Sequence, residues 1–192
     1  MNKEETILDQ IWDELAASLE VGGHPFHIFS ISTISNNKPD SRNVVLRNVN
    51  RNNQSVTFHT DTRSNKISQI KNDINVCALF YDSAKKIQIR AYGYISIETD
   101  ELIIKDRWSQ SKKMSKLCYL HKSAPGEKID NAKDYLYDED DLQNIEVGIK
   151  NFSVINIKFN KIDWLNLSHK GHERIIISFT NGDNIKFEWV AP

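Results

Sequence analysis

Residues 26–60, FHIFSISTISNNKPDSRNVVLRNVNRNNQSVTFHT, decide the fold class of this chain. Apolar and polar side chains alternate along the stretch, and two Asn-rich sequences, 36–40 and 50–53, interrupt the alternation. A period of two is typical of a half-buried β-strand, and Asn, Asp and Pro are typical of the turns between strands. The stretch therefore predicts three consecutive strands, at 26–31, 42–49 and 55–60.

The β pattern returns in two later groups. The apolar run 76–81 predicts a buried strand, and 87–95 alternates over enough residues to predict a long strand. Asn181-Gly182 joins the last two predicted strands, and Asn-Gly is a strong signal for a tight hairpin. The strands predicted in the last third of the chain are 152–159, 161–167, 173–179 and 184–190.

Helical patterns separate these groups of strands. Ile7, Ile11, Leu15 and Leu19 recur at four-residue steps, which predicts an amphipathic helix over 4–20. Further helices are predicted at 64–72, near 100–117 and over 140–148. Because helices come between groups of strands and do not follow each strand, the sequence predicts a mainly β fold. We expect an antiparallel β-barrel with helical decorations, not a parallel doubly wound sheet.

The length of 192 residues predicts a single domain over 1–192, with the N-terminal helix at 1–21 and a barrel with inserted helices at 22–192. The formal net charge of −1 argues against a nucleic-acid-binding protein, which usually carries a basic excess. No apolar run approaches the roughly 20 residues that span a bilayer, so no membrane association is expected. The two cysteines do not predict a disulfide framework, and we expect a cytoplasmic protein.

A basic cluster follows the third predicted strand. Arg63, Ser64 and Lys66 lie where that strand leads into the helix 64–72. A helix N-terminus offers free N–H groups to an anion, and Ser64 can both cap the helix and contact a phosphate oxygen. The cluster predicts a phosphate site, and a capped surface helix with solvated charges explains it equally well.

Two arginines on the second predicted strand add to this cluster. Arg42 and Arg47 lie five residues apart, so alternation places them on opposite faces unless a bulge intervenes. Farther along the chain, His169 and His172 lack the companion ligands of a metal site, and no metal is expected. The sequence also shows no nucleophile motif, so any catalysis is expected to depend on a cofactor.

Six stretches of this chain, taken together in order and spacing, resemble the pyridoxamine 5′-phosphate oxidase family. The stretches are 41–47, 58–66, 87–93, 162–167, 172–174 and 189–192. The resemblance implies a split β-barrel of Greek-key type that binds FMN, and a homodimer with FMN at the subunit interface. It implies an FMN-dependent oxidoreductase that acts on a small-molecule substrate.

The resemblance also implies roles for individual residues. Those implied to hold the FMN phosphate are Arg42, Arg63, Ser64 and Lys66. Those implied to line the isoalloxazine and ribityl chain are Val44, Val45, Leu46, Arg47, His59 and Thr60. Gln88 is implied to hydrogen-bond the flavin, and Trp164 and Arg174 are implied to close the pocket from the partner subunit.

Departures from the family pattern concern the substrate side. The Arg that follows Ser in the true oxidase precedes it here as Arg63, and no Tyr-x3-Arg-x3-Ser motif occurs between 100 and 125. The Arg-x-His substrate clamp is replaced by Lys170-Gly171-His172, whose Lys and His are candidates to orient an anionic substrate. The resemblance is therefore to a subgroup of undefined substrate. The alternatives are a flavin-binding or sensing module without turnover, and a haem-binding protein with His169 or His172 as axial ligand.

Overall fold

The structure of the chain is a computed structural model that describes residues 2–131, 143–180 and 184–192. The helices in this part of the chain are α1 (Lys3–Glu20), α2 (Asn65–Asn72), α3 (Glu101–Gln110) and α4 (Lys113–Lys116), with 3₁₀ turns at Leu117–Tyr119 and Ile145–Asn151. The strands are β1 (Ile28–Ser35), β2 (Lys38–Asn50), β3 (Ser55–Asp61), β4 (Asn75–Asp82), β5 (Ile87–Ile97), β6 (Phe152–Asn166), β7 (Glu173–Phe179) and β8 (Ile185–Val190).

Six of these strands close into an antiparallel barrel. Their order is β3-β2-β1-β4-β5-β6, and β3 pairs back onto β6 to complete the ring. Three hairpin-connected strands with the fourth returning beside the first are a Greek key, which is the arrangement of β1–β4 here. The predicted mainly β, antiparallel Greek-key barrel with helical decorations is confirmed.

The long strand β6 joins the barrel to the last two strands. Its first half pairs with β3 and its second half with β7, while β5 runs along its other edge. Phe159 lies opposite Gly93 and Lys161 opposite Tyr92, so Asn160 is an unpaired bulge residue. A bulge bends a strand without ending it, and the prediction of two separate strands at 152–159 and 161–167 is therefore wrong.

Strand β2 begins earlier than its sequence indicates. Asn36 and Asn37 both have positive φ, and Ser35 already pairs with Lys38, so the turn closes after two residues. Asn tolerates this backbone conformation better than most residues, as type I′ hairpins require. The predicted turn over 36–40 is thus too long, and Pro39 lies within the strand where β2 has β1 as its only neighbour.

The barrel interior is apolar and α1 covers one of its ends. Ile11, Trp12 and Leu15 of α1 are buried in the main core, and the ring of Trp12 stacks on Phe159 with centroids 6.2 Å apart. The predicted helix over 4–20 is confirmed. Gly23 then adopts a positive φ after the helix has ended.

Strand β4 shows where an apolar run misleads. Val76, Ala78 and Phe80 face the interior, but Leu79 and Tyr81 are 37% and 47% exposed. The predicted fully buried strand is therefore wrong, because only one face of this part of the barrel is covered.

A second, smaller core lies outside the barrel wall. Trp108 of α3 packs with Tyr119, Phe152 and Val154 against the outer side of β3 and β6. The helices expected near 100–117 are confirmed. Of the helix predicted over 140–148, residues 140–142 lie outside the described residues, and 145–148 fall in the 3₁₀ turn Ile145–Asn151. The hairpin residues 181–183 also lie outside the described residues.

Strands β7 and β8 nevertheless pair antiparallel on either side of those hairpin residues.

None of the helices described is long and apolar enough to cross a membrane.

Candidate functional site

A bulge in β2 takes Arg47 out of the alternation that starts at Arg42. Leu46 pairs with Phe58 and Asn48 with Thr57, so Arg47 has no partner on β3. Arg47 is exposed, whereas Arg42 lies opposite the buried Ile31 at the end of the barrel. The spacing of the two arginines allowed for a bulge between them, and the structure has one at Arg47. Arg42 and Arg47 therefore do not lie side by side.

The three residues between these arginines divide between the two faces of the barrel. Val44 and Leu46 are buried in the main core, and Val45 lies half-buried on the outer face. Their predicted contact with a flavin through backbone and side chains stays a prediction.

The predicted phosphate residues converge where β3 leads into α2. Lys66 Nζ donates to Thr60 Oγ1 at 2.9 Å and to Ser64 Oγ at 3.1 Å. Ser64 occupies the N-cap position of α2, but its hydroxyl accepts no hydrogen bond from the helix backbone. The prediction that Ser64 caps the helix with its side chain is therefore wrong. Its hydroxyl contacts Lys66 instead.

Arg42 approaches the same place from β2 and is held by three side chains. Its Nη1 donates to Thr33 Oγ1 at 2.5 Å and to the carbonyl oxygen of Asp40 at 2.9 Å. Its Nη2 donates to Asp40 Oδ2 at 3.0 Å and to Gln69 Oε1. The sequence analysis missed Thr33, Asp40 and Gln69. The spacing of three residues from Lys66 to Gln69, which places both on one face of α2, was the available signal.

Positive charge exceeds negative charge at this end of the barrel. Burial, and then the positive charge of Arg42, lower the pKa of Lys66 below its usual value. Asp40 is the carboxylate that pairs with Arg42 in the described structure, and Asp61 pairs with Arg63. Two neighbouring, partly buried cations, of which only Arg42 has a carboxylate partner among the described residues, favour the binding of an anion. We call Arg42, Thr60, Ser64 and Lys66 the phosphate cluster.

Arg63 is occupied within the protein. Its guanidinium donates to both carboxylate oxygens of Asp61, at 3.0 and 2.7 Å, and to the carbonyl oxygens of His121 and Lys122, at 2.9 and 3.0 Å. These bonds fasten the segment around residue 121 to the end of β3. The phosphate contact expected of Arg63 stays a prediction, and its guanidinium contributes to holding this segment.

His59 lies on the outer side of β3, beside the second core. Its ring meets Phe152 edge to face at 4.7 Å, and its Nε2 is a buried atom that has no hydrogen-bond partner among the described residues. Burial, followed by the positive charges of Arg47 and Arg107, lowers the pKa of His59 to about 3. His59 is therefore neutral at physiological pH. Arg107, on α3, is a further residue that the sequence analysis missed.

Gln88 and Arg174 share one row of the outer face. Gln88 pairs with Leu165 across β5 and β6, and Leu165 pairs with Arg174 across β6 and β7. Arg174 donates to Asp163 through Nε at 3.0 Å and through Nη2 at 2.9 Å, and Arg90 also donates to this carboxylate. Burial alone would raise the pKa of Asp163, but the bonds from Arg174 and Arg90 hold it below its usual value.

Trp164 lies on the opposite face from Arg174. It is buried and lines a cavity of about 260 Å³ under α1, together with Ile11, Phe26 and Ile89. The structure of one chain therefore does not bring Trp164, Gln88 and Arg174 together with the phosphate cluster. Their flavin contacts stay predictions that involve a second copy of the chain.

The predicted substrate residues lie in the loop before β7. Lys170 and His172 are exposed, and His172 borders a shallow pocket of about 310 Å³ beside Arg174 and Trp189. Across residues 2–131, 143–180 and 184–192, no three His, Cys, Asp or Glu side chains group as metal ligands would. His169 is likewise exposed.

Residues 9–99 match the sequence model of a family described as pyridoxamine 5′-phosphate oxidase, FMN-binding domain. This range contains β1 to β5, α2 and the whole phosphate cluster. The match supports FMN as the cofactor. No curated protein matches the chain.

Solved structures share the fold over the full chain. A pyridoxamine 5′-phosphate oxidase-related, FMN binding protein from Nostoc punctiforme is 15% identical with a TM-score of 0.76, covering 100% of this chain and 99% of that one. PhzG from Burkholderia lata is 17% identical with a TM-score of 0.69, covering 100% and 94%. A protein from Clostridium acetobutylicum related to general stress protein 26 is 14% identical with a TM-score of 0.58, covering 88% and 94%.

At these identities the structures show a shared fold, and the resemblance to the family comes from the sequence match that contains the phosphate cluster. Through residues 9–99, this chain resembles the FMN-binding domain of the pyridoxamine 5′-phosphate oxidase family, and it shares its fold with solved structures over its full length.

Proposed function

We propose that the chain is an FMN-dependent oxidoreductase that holds the FMN phosphate in the phosphate cluster and acts on a small anionic substrate. The observation that carries this proposal is the closeness of two partly buried cations, Arg42, which pairs with Asp40, and Lys66, which donates only to the hydroxyls of Thr60 and Ser64 among the described residues. A dianionic phosphate offsets the mutual repulsion of these cations and accepts hydrogen bonds from the hydroxyls of Thr60 and Ser64. The N-terminus of α2 adds free backbone N–H groups.

The surroundings of the cluster suit a flavin ring. His59 follows directly on the buried Phe58 in β3, and its shielded Nε2 has no partner among the described residues. A buried polar atom without a partner in a native protein calls for an explanation, and a bound ligand supplies one. When bound, FMN supplies two-electron redox chemistry that side chains do not provide. The chain's share is to bind the phosphate, position the ring and exclude water.

A second copy of the chain is part of the proposal. The outer face carries exposed apolar side chains, with Ile28 55% exposed and Leu79 and Tyr81 close to it in the sheet. An exposed apolar patch of this kind is typical of a protein interface. We propose a homodimer in which this face is covered and in which Gln88 and Arg174 of one copy reach the FMN of the other.

The charges around His59 indicate the substrate class. Arg47 is exposed on the β2 bulge, and both Arg47 and Arg107 are close enough to His59 to influence its charge. Two arginines beside a neutral histidine favour a substrate with a carboxylate or phosphate group. Lys170 and His172 remain candidates to orient it. A pyridoxine-type phosphate is one candidate, but the helix motif that grips it in the oxidase is absent from the sequence.

The test is a flavin titration followed by a reduction screen. We expect the purified protein to bind FMN and to show flavin absorbance, and we expect one anionic donor to bleach it under anaerobic conditions. The screen includes pyridoxamine 5′-phosphate, reduced nicotinamides and tetrahydrophenazine-1-carboxylic acid, the compound in the PhzG structure. A protein that binds no FMN contradicts the proposal, and an intense Soret band favours the haem alternative. FMN binding without reduction by any donor favours the non-catalytic alternative.

A further inference from the structure

We propose that Gln69 is a positioning residue that sets the phosphate affinity of the flavin site by holding Arg42. The inference rests on the proposed function, in which Arg42 and Lys66 bind the FMN phosphate. It adds a residue that contacts neither the phosphate nor the flavin and acts through the guanidinium of Arg42.

Gln69 lies at the centre of a closed hydrogen-bond network. Its side chain is 7% exposed on the inner side of α2. Its Oε1 accepts from Arg42 Nη2 and from Thr33 Oγ1, the latter at 2.6 Å. Its Nε2 donates to Asp40 Oδ2 at 2.8 Å. One amide therefore contacts all three of the other members of the network.

The network leaves Arg42 with a single N–H to offer. The four N–H bonds of Nη1 and Nη2 match four acceptors, two on Asp40 and one each on Thr33 and Gln69. Nε is the one nitrogen of Arg42 that has no hydrogen-bond acceptor among residues 2–131, 143–180 and 184–192. A guanidinium held at both ends has a fixed orientation. Its charge and its Nε–H then act on the phosphate without a further loss of rotamer freedom on binding.

The chemistry of the network requires an amide at position 69. An amide accepts through its oxygen and donates through its nitrogen, so it satisfies Arg42 and Asp40 at the same time. A glutamate here would add a second carboxylate beside Asp40 and would neutralise Arg42. A leucine would leave the hydroxyl of Thr33 and one N–H of Arg42 without acceptors and would free Asp40 to pair with Arg42 alone. Both changes weaken the positive charge that faces a phosphate.

Helix α2 thereby provides two residues of the same site, one that contributes charge and one that orients Arg42. Lys66 and Gln69 are three residues apart and lie on one face of the helix. Lys66 supplies charge directly, and Gln69 orients the cation that arrives from β2. One turn of α2 thus connects the start of the helix, where Lys66 contacts Ser64, to the guanidinium of Arg42, which Gln69 contacts.

The test compares FMN with riboflavin, which has the same ring and ribityl chain but no phosphate. Gln69→Leu is expected to weaken FMN binding about tenfold, the size of losing one hydrogen bond to a charged group, measured by quenching of flavin fluorescence. Riboflavin affinity is expected to stay within about twofold of the wild type, since Gln69 acts only on the phosphate end. Ser68→Ala, an exposed neighbour on the same helix, is the matched control and is expected to change neither affinity.

A double-mutant cycle separates positioning from a general structural role. In an Arg42→Ala background, Gln69→Leu is expected to cause no further loss of FMN affinity, because its target is gone. Parallel losses of FMN and riboflavin affinity, or the same loss with and without Arg42, would overturn the inference. Thr33→Val, which removes another bond to Arg42, is expected to reproduce the FMN-specific loss and serves where Gln69→Leu does not fold.

The outcomes also separate this inference from the proposed function. If the wild type binds FMN and riboflavin equally, or if Arg42→Ala leaves FMN affinity unchanged, the phosphate cluster itself is wrong and both proposals fail. If Arg42→Ala weakens FMN binding while Gln69→Leu and Thr33→Val do not, the phosphate cluster stands and the positioning role of Gln69 fails.

Discussion

Two arginine-rich regions of this barrel handle charge in opposite ways. At the phosphate cluster, Arg42 pairs with Asp40, whereas Lys66 has hydroxyl partners and no ion pair among the described residues, so positive charge is left over. On the outer face, Asp163 is almost fully buried and is shared by Arg90 and Arg174, whose heads are partly exposed. The first region is arranged for a ligand that the chain does not supply, and the second supplies its own anion. We therefore expect the motif residues to contribute to binding in the first region and to stability in the second.

The largest expected effect is on the outer face. Asp163→Ala removes the carboxylate that both arginines contact and is expected to lower the free energy of unfolding by about 3 kcal/mol. Urea denaturation measures this change. Asp163→Asn keeps the shape and part of the hydrogen bonding, so its loss should be smaller. A destabilisation below that of Asp9→Ala, whose ion pair with Arg51 is exposed, would contradict the role given to Asp163.

The next largest effect concerns the phosphate cluster, where we expect substitutions to weaken FMN binding and not to lower stability. Lys66→Ala and Arg42→Ala are each expected to weaken FMN binding by about 1.5–3 kcal/mol, because each loses a charge-assisted hydrogen bond to the phosphate. Without flavin, Lys66→Ala should leave urea stability unchanged or raise it, since it relieves repulsion from Arg42. Unchanged FMN affinity in both variants would mean that the cluster is surface charge.

The pH dependence of stability tests His59, the half-buried histidine on the outer side of β3. The pKa of His59 is about 3 in the folded chain against 6.5 for a free side chain, so the unfolded chain binds more protons between these values. Stability contributed by neutral His59 is present above pH 6.5 and is lost as the pH falls toward 3. We expect His59→Gln to reduce the fall in unfolding free energy between about pH 8 and pH 5 by about 2 kcal/mol. His172→Gln, at an exposed histidine, is the control and should leave the slope unchanged.

The smallest effect distinguishes a phosphate contact from a helix cap. Ser64→Ala is expected to weaken FMN binding by about 1 kcal/mol, the value of one neutral hydrogen bond. Its effect on stability should stay below the roughly 1 kcal/mol typical of a lost N-cap, because its hydroxyl does not bond to the helix backbone. A large loss of stability with unchanged FMN affinity would reverse this assignment.

Local sequence patterns predict the elements that depend on neighbouring residues and miss the features that depend on distant ones. The helix α1 and the strands β3, β5 and β7 follow from the period of their apolar residues, which is a property of neighbouring positions. The exposure of Leu79 and Tyr81 does not follow from the apolar run 76–81, because covering a face depends on what packs against it. In the sequence, Asn160 resembles a break between two strands, and only the pairing of its neighbours Phe159 and Lys161 with β5 shows that it is a bulge.

The sequence by itself indicated the antiparallel barrel, and the ordered motifs within it indicated a resemblance to one family and its FMN cofactor. It also placed Ser64 and Lys66 together at the start of α2, because the two residues are only two positions apart in the chain. Only the tertiary structure decided that Arg42 reaches the same place, that Gln69 holds it, and that Trp164 and Arg174 lie on opposite faces. These facts depend on strand register and on contacts between residues far apart in the chain, where a shift of one position reverses the face of every side chain.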